Sequence, residues 1–242
     1  MSVLLKVELI KHTEDAESCV ASAAKLCYAE DATTIFNDED DSLFIKRLKD
    51  MGHLSPFEHA SYTFYVEGIS RVTSHQLVRH RLASYSQRSQ RYVAHDNFEY
   101  VIPPSLVGMK VQLDDSEIVD AVEYYNQCMK EVAIMYNNLN NALGACGEES
   151  NQDARYILPN ACETKIFMTM NARELMHFLE ERLCLRAQWE IRGLADEILN
   201  NLQKVSPNIF ENVGPKCIKL NGCPEGKMSC GEFKQIKEKY GN

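Results

Sequence analysis

The chain has no run of 18 apolar residues, which excludes a membrane-spanning helix. The opening MSVLLKVELIKH is too short and too charged for a signal peptide, so none is expected. There is no excess of base. A net charge of −9 over 242 residues argues against a general nucleic-acid binder, whose phosphate contacts need a basic face. Nine scattered cysteines, an odd number, do not read as a disulfide framework; they indicate reduced thiols and a cytoplasmic setting. Neither an internal repeat nor a linker interrupts the chain. The expected organisation is therefore one domain over residues 1–215 and a C-terminal tail over 216–242. An apolar fraction of 45% is enough for a full core.

The most informative absence is local. Residues 68–95, GISRVTSHQLVRHRLASYSQRSQRYVAH, contain no Asp or Glu, although the chain has 35. These 28 residues carry five of the eleven arginines (Arg71, Arg79, Arg81, Arg88, Arg91) and three of the seven histidines (His75, His80, His95). An acid-free patch on an acidic body suits a small anionic ligand, because guanidinium forks match phosphate oxygens. A solvated basic helix end is the plainer alternative on composition alone.

Periodicity supplies the frame. Residues 3–10 and 61–67 alternate as strands, and 14–27 has a helical pattern with Val20, Ala23, Ala24 and Cys27 on one face. The acid run from Asn37 to Asp41 reads as the start of a helix that Gly52 stops. Ser70 to Arg81 reads as a helix with Val72 and Leu77 in the core, and Leu82 to Arg91 as a polar loop. The longest expected element, Asp115 to Leu143, carries an apolar stripe from Ile118 through Val122, Tyr125, Met129, Val132, Tyr136 and Leu139 to Leu143. Residues 165–170 read as a strand. Asn171 and Glu174 have the spacing of an N-cap and its return partner, ahead of Leu175, Leu179 and Leu183. A last helix runs through Leu194, Ile198 and Leu202. The expected fold is α/β (α+β): a central, mostly antiparallel sheet packed with long helices.

Arg79-His80-Arg81-x-x-Ser84-x-x-x-x-Ser89-x-Arg91 resembles the RHRxxSxxxxSxR signature of flavin-dependent thymidylate synthases, with six fixed positions in thirteen. The segments around it are similar to the family's as well. They are His53-x-Ser55-Pro56-Phe57-Glu58-His59, Ala154-Arg155-x-x-Leu158-Pro159, Asn171-Ala172-Arg173-x-Leu175-Met176, and Arg182 followed by Ala187-Gln188-Trp189-Glu190-Ile191.

The resemblance implies reductive methylation of dUMP to dTMP. Methylenetetrahydrofolate would give the carbon, and FAD reduced by NADPH the hydride, in a homotetramer with shared active sites. It implies FAD contacts from Ser55, Arg79, His80, Arg81, Gln87, Asn171, Ala172, Arg173 and His177. It implies dUMP contacts from Gln76, Leu77, Val78, Arg79, Gln87, Arg88, Ser89, Gln90, Arg91, Arg155 and Arg182. Arg182 would stabilise negative charge on the uracil ring. Its alternative is an arginine that lays its stem along the apolar stripe and keeps its head in water. Ser89 is the other candidate at the chemistry. No base is placed beside it by the sequence, so a hydrogen bond to dUMP is the expected role. Gln87 stands where the family often has Glu, and an amide cannot act as a base. His53 and His59 are either folate-site groups or packed histidines. Cys162 is the best-placed rival nucleophile, but the resemblance makes no thiol obligatory. Cys217, Cys223 and Cys230 have gaps unlike the C-x-x-C pairs of zinc sites, so no metal is expected. A single-stranded nucleic-acid module and another nucleotide-modifying flavoprotein remain as rivals.

Overall fold

A computed structural model describes residues 3–31, 35, 41–113 and 118–241. The elements follow as β1 (Lys6–His12), α1 (Ala16–Lys25), α2 (Ser42–Asp50), β2 (Ser61–Ser70), α3 (Arg71–Leu77), β3 (Ala83–Gln87), β4 (Lys110–Gln112) and β5 (Ile118–Asp120). After them come α4 (Ala121–Ala142), α5 (Glu148–Ala154), β6 (Glu163–Asn171), α6 (Ala172–Arg182), α7 (Trp189–Val205), α8 (Pro207–Phe210), α9 (Lys216–Lys219) and α10 (Phe233–Tyr240). The main sheet has the order β1-β2-β6-β3, and β4 and β5 form a separate antiparallel pair. Opposed contacts fix the sense of the first pairings. The Thr13 amide donates to Ser61 O, and Thr63 Oγ1 lies 2.9 Å from Thr169 Oγ1. The Gly68 amide donates to Glu163 Oε1, so β2 runs antiparallel to β6. The fold is α+β.

Contacts group the chain into two compact units. The first holds residues 1–6, 66–75 and 86–166. Its core gathers Phe98, Tyr100, Met129 and Cys162, with Tyr125, Val132 and Leu158 against them. Tyr136 is fully buried on α4; its hydroxyl accepts from the His95 amide and donates to Asn151 Oδ1. Asp120 caps α4 by accepting from the amides of Val122 and Glu123. The second unit holds residues 7–65, 76–85 and 167–242. Here α1, α2, α6, α7 and α8 pack around the buried Tyr62, Phe64, Phe178, Leu179, Leu194, Ile198 and Phe210. The buried Tyr62 hydroxyl donates to Ser206 Oγ at 2.8 Å. Residues 216–241 group with this second unit.

Several expectations change. The first strand lies at Lys6–His12 rather than 3–10. The arginine helix is shorter than its pattern suggested. Residue Ser70 still belongs to β2, and α3 ends at Leu77. Leu77 is buried as expected, but Val72 is 38% exposed. The Tyr85 hydroxyl lies 2.9 Å from Leu77 O and 3.0 Å from His80 O. It thus serves carbonyls that a continuing helix would have bonded itself. The segment read as a loop contains β3, the sheet's edge strand. Half-buried Ala83, Tyr85 and Gln87 alternate with exposed Ser84 and Ser86. The period of two is there, but polar side chains conceal it. The long helix α4 begins at Ala121, and its stripe is buried at Met129 and Tyr136 while Ile118, Leu139 and Leu143 are exposed. Of the expected acidic helix start, residues 37–40 lie outside the described residues; Asp41 is the N-cap residue of α2, without a side-chain cap bond.

Gly68 is the one position in β2 with φ of +74°, and a Cβ there would stand 1.9 Å from Leu4 O. Only glycine fits that backbone and that approach. Gly68→Ala is expected to destabilise the protein by at least about 2 kcal/mol in urea unfolding, and an unchanged midpoint would show that the strand start gives way instead.

Candidate active site

In the second unit, α6 sets out a row of functional groups over a length of about 16 Å. At its start Asn171 Oδ1 accepts from the Glu174 amide at 2.9 Å, and the Ala172 amide donates to Ala60 O. Arg173 pairs with Glu58 of the Ser55–His59 turn, so that turn is fastened to the first turn of the helix. Ser55, His53 and His59 are exposed. The expected capping box is only half made. Glu174 does not return to Asn171; it is buried at 6% exposure and faces His80.

His80 is the centre of the arrangement. Its Nε2 accepts from Arg182 Nε at 3.1 Å, and its Nδ1 lies 3.5 Å from Glu174 Oε1. An acceptor Nε2 requires a neutral ring with the proton on Nδ1, so the contact with Glu174 joins an N–H to a carboxyl group and is not an ion pair. The ring also packs edge-on against Phe178 and His177. Burial pushes the His80 pKa down to about 4, and the charges of Arg182 and His177 push the same way. Burial raises the Glu174 carboxyl above its ordinary range.

Arg79, His80, Arg81 and Leu82 line an open cleft of about 380 Å³ with Glu174, His177, Glu181 and Arg182. Both acids are engaged. Glu174 faces His80, and Glu181 is bound by Lys216. Burial alone would raise the Glu181 carboxyl, but Lys216, His177 and Arg182 outweigh it and hold it low. Exposed Arg79 and Arg81 form no ion pair among the described residues, and neither does Arg182. The cleft is therefore a cationic, donor-rich wall, and it fits a polar or anionic cofactor edge.

The first unit carries the other expected ligand groups. Gln87 Nε2 donates to Thr164 Oγ1, which leaves its carbonyl oxygen for a ligand. Ser89 Oγ accepts from the amides of Arg91 and Tyr92 at 3.1 and 3.3 Å, so only its proton remains to offer. Gln90 Nε2 donates to Cys162 Sγ at 3.6 Å. Arg91 is paired with Glu148, and Arg155 Nε donates to Gln152 O. Arg88 lies 4.0 Å from Glu163. Arg71, which the sequence offered only as one member of the acid-free stretch, has a buried Nε with no partner among the described residues. Burial lowers its pKa, and the charge of Arg155 pushes the same way. An unmet buried guanidinium donor suits a phosphate. Cys162 is fully buried in the core, and burial pushes its pKa up to about 11, which favours the thiol over the nucleophilic thiolate.

Gln76, Leu77, Val78 and Arg79 lie in the second unit, where the Arg79 amide donates to Gln76 O. The structure thus gathers Arg79, His80, Arg81, His177 and Arg182 around one cleft and fastens Ser55 to the Asn171–Arg173 end of the same helix. Glu174 was missed as a functional residue. Its burial beside a histidine 94 positions earlier leaves no trace in local spacing.

Known proteins share this arrangement of sequence. The family described as thymidylate synthase complementing protein matches residues 8–208. The chain is 46% identical to the flavin-dependent thymidylate synthase of Clostridium tetani, over 98% of this chain and 97% of that protein. It is 45% identical to the enzyme of the same name from Geobacter sulfurreducens, over 98% of each. A crystal structure of the UMP/dUMP methylase PolB from Streptomyces cacaoi, bound with 5-Br dUMP, superposes with a TM-score of 0.67 at 26% identity. That match covers 86% of this chain and 94% of the other.

The protonation of His80 is directly measurable. The unfolded chain takes up this proton near the ordinary 6.5 and the fold only near 4, so the residue's contribution to stability is lost as pH falls through that window. Glu174 acts in the opposite sense, because its raised carboxyl favours the fold at acid pH and loses that advantage as pH rises. In histidine-labelled protein, with a His80 variant to assign the signal, nitrogen NMR should show a neutral Nδ1–H ring well below pH 6. A ring that titrates at its ordinary value would mean that the bond from Arg182 does not form.

Proposed function

The chain belongs to the flavin-dependent thymidylate synthase family, and we propose that it makes dTMP from dUMP by reductive methylation, with methylenetetrahydrofolate as carbon donor and NADPH as the source of reducing equivalents. The observation that carries this reading is the cationic cleft built on the RHR segment and α6. When bound, FAD supplies the hydride chemistry.

The chain's own residues supply placement and charge. Arg79, Arg81 and His177 hold the cofactor along the cleft, and Asn171, Ala172 and Arg173 meet it with the open start of α6. Ser55 and Gln87 add polar contacts. His80 has both ring nitrogens engaged, so it meets the cofactor through its backbone, and its ring positions Arg182. Gln76 to Arg79 bind the nucleotide. Arg88, Ser89, Gln90, Arg91 and Arg155 take its sugar and phosphate, and Arg71 joins them. Phosphate then competes with Glu148 for Arg91, and a bound dianion outweighs a half-exposed carboxylate.

Arg182 acts on the ring. Its Nε is fixed by His80, and its terminal nitrogens have no partner among the described residues. A fixed cation there favours loss of a proton from the uracil and stabilises the resulting charge. Ser89 donates its remaining proton to the nucleotide. The family reading also makes the assembly a homotetramer with flavin contacts shared between subunits.

Tritium release from C5-labelled dUMP tests the reading. Release should require methylenetetrahydrofolate, NADPH and FAD together, from a yellow protein that sediments as a tetramer. Arg182→Ala should retain FAD and lose at least about tenfold in turnover, the equivalent of one charge-assisted bond. Cys162→Ala should keep most of its turnover. Folate-independent release, or a thiol–dUMP adduct trapped on Cys162, would overturn it.

A further inference from the structure

Four of the nine cysteines come together at one place that the thymidylate chemistry does not use. Cys184, Cys217, Cys223 and Cys230 line a single cavity of about 370 Å³ in the second unit. Cys184 follows the end of α6, Cys217 lies on α9, and the other two lie in the stretch between α9 and α10. Sequence spacing hides the set. Its first member is 33 residues before the second, and the remaining gaps match no C-x-x-C pair.

The three later members lie beyond residue 208, where the family match ends. Their segment is poorly equipped to hold itself together. It offers a four-residue helix, an eight-residue helix and the residues between them, with Leu220 and Met228 mostly exposed and only Cys217 and Ile236 buried among its apolar side chains. Pieces this small are ordinarily stapled by disulfides or a metal.

The backbone suits close approach of ligands. Gly231, directly after Cys230, and Gly226 have positive φ. The Gly222 amide turns back to Cys217 O at 2.9 Å. All four are free thiols; Cys217 is buried and the other three are half-buried. Lys216 and Arg186 share the lining; Lys216 is bound by Glu181, and Arg186 donates to Met228 O. As the side chains stand, no group of three potential ligands among the described residues is close enough to hold a metal. Each cysteine has one side-chain torsion, and turning it moves the sulfur without moving the backbone.

We propose that Cys184, Cys217, Cys223 and Cys230 bind one structural zinc ion that fastens the C-terminal segment to the end of α6. Four thiolates with no histidine or open position make a closed tetrahedral zinc site, without catalytic water. Four S–H bonds break, four Zn–S bonds form and four protons pass to the buffer; nothing is oxidised or reduced. The site sits next to the chemistry in sequence. Cys184 is two residues past Arg182, and Lys216, beside Cys217, holds Glu181. The metal thereby keeps the arginine end of α6 from fraying.

The test uses full-length, untagged protein purified under reducing conditions. Elemental analysis should find about one zinc per chain. The Cys223→Ser/Cys230→Ser double variant should hold less than about a tenth of that, while Cys146→Ser, at an exposed thiol of the first unit, keeps it. Because the double variant can fail to fold, Co²⁺ exchange into the unaltered protein gives an independent reading. A tetrathiolate site shows intense visible bands and sulfur-to-metal charge transfer. The proposal is overturned if the reduced protein retains no zinc and gains no such spectrum. It is also overturned if mass spectrometry finds these cysteines in disulfides, or if the metal bound is iron.

Discussion

The hydrogen bond from Arg182 Nε to His80 Nε2 is the contact on which the rest of the cleft depends. An arginine at the end of a helix has long, unrestrained torsions and ordinarily keeps its head in water. Here a buried histidine takes one donor and fixes the direction of the fork. The histidine can accept only while neutral, and burial keeps it neutral. Its own tautomer is set from behind by Glu174. A second arginine at position 80 could not accept, and a protonated histidine would repel Arg182. The RHR order therefore has a physical meaning. The outer arginines present free charge, and the middle residue aims a cation from another element.

Helix α6 is the frame for this. Leu175, Leu179 and Leu183 bury one stripe completely, which holds the helix against rotation. Its first turn receives the Ser55–His59 segment, its middle carries Glu174 and His177, and its last residue is Arg182. Lys216 holds Glu181 beside that last residue. The same helix end thus receives support from His80 on one side chain and from the C-terminal segment on the next.

Much of this was legible in the sequence where a signal is local. The acid-free stretch, the N-cap at Asn171 and the stripes of α6 and α7 follow from composition and period, and each is in place. What was not legible depends on distant partners. The arginine helix ends at Leu77, where the Tyr85 hydroxyl lies within hydrogen-bond distance of the Leu77 and His80 carbonyls. The polar segment after it becomes an edge strand because β6 is there to pair with. Glu174 looked like half of a capping box, and only the fold reveals that it faces His80. Arg91 was expected only as a nucleotide contact, and Glu148 pairs with it across 57 residues. The cysteine cavity is the extreme case, since Cys184 comes from the end of α6 and the other three from the C-terminal segment.

A double-mutant cycle on His80 and Arg182, read as turnover of dUMP with FAD saturating, tests the central claim most directly. If His80 acts by aiming Arg182, His80→Phe and Arg182→Ala each lower turnover, and the double variant loses no more than Arg182→Ala alone. If the two losses multiply, His80 and Arg182 work independently, and the histidine does not position the arginine.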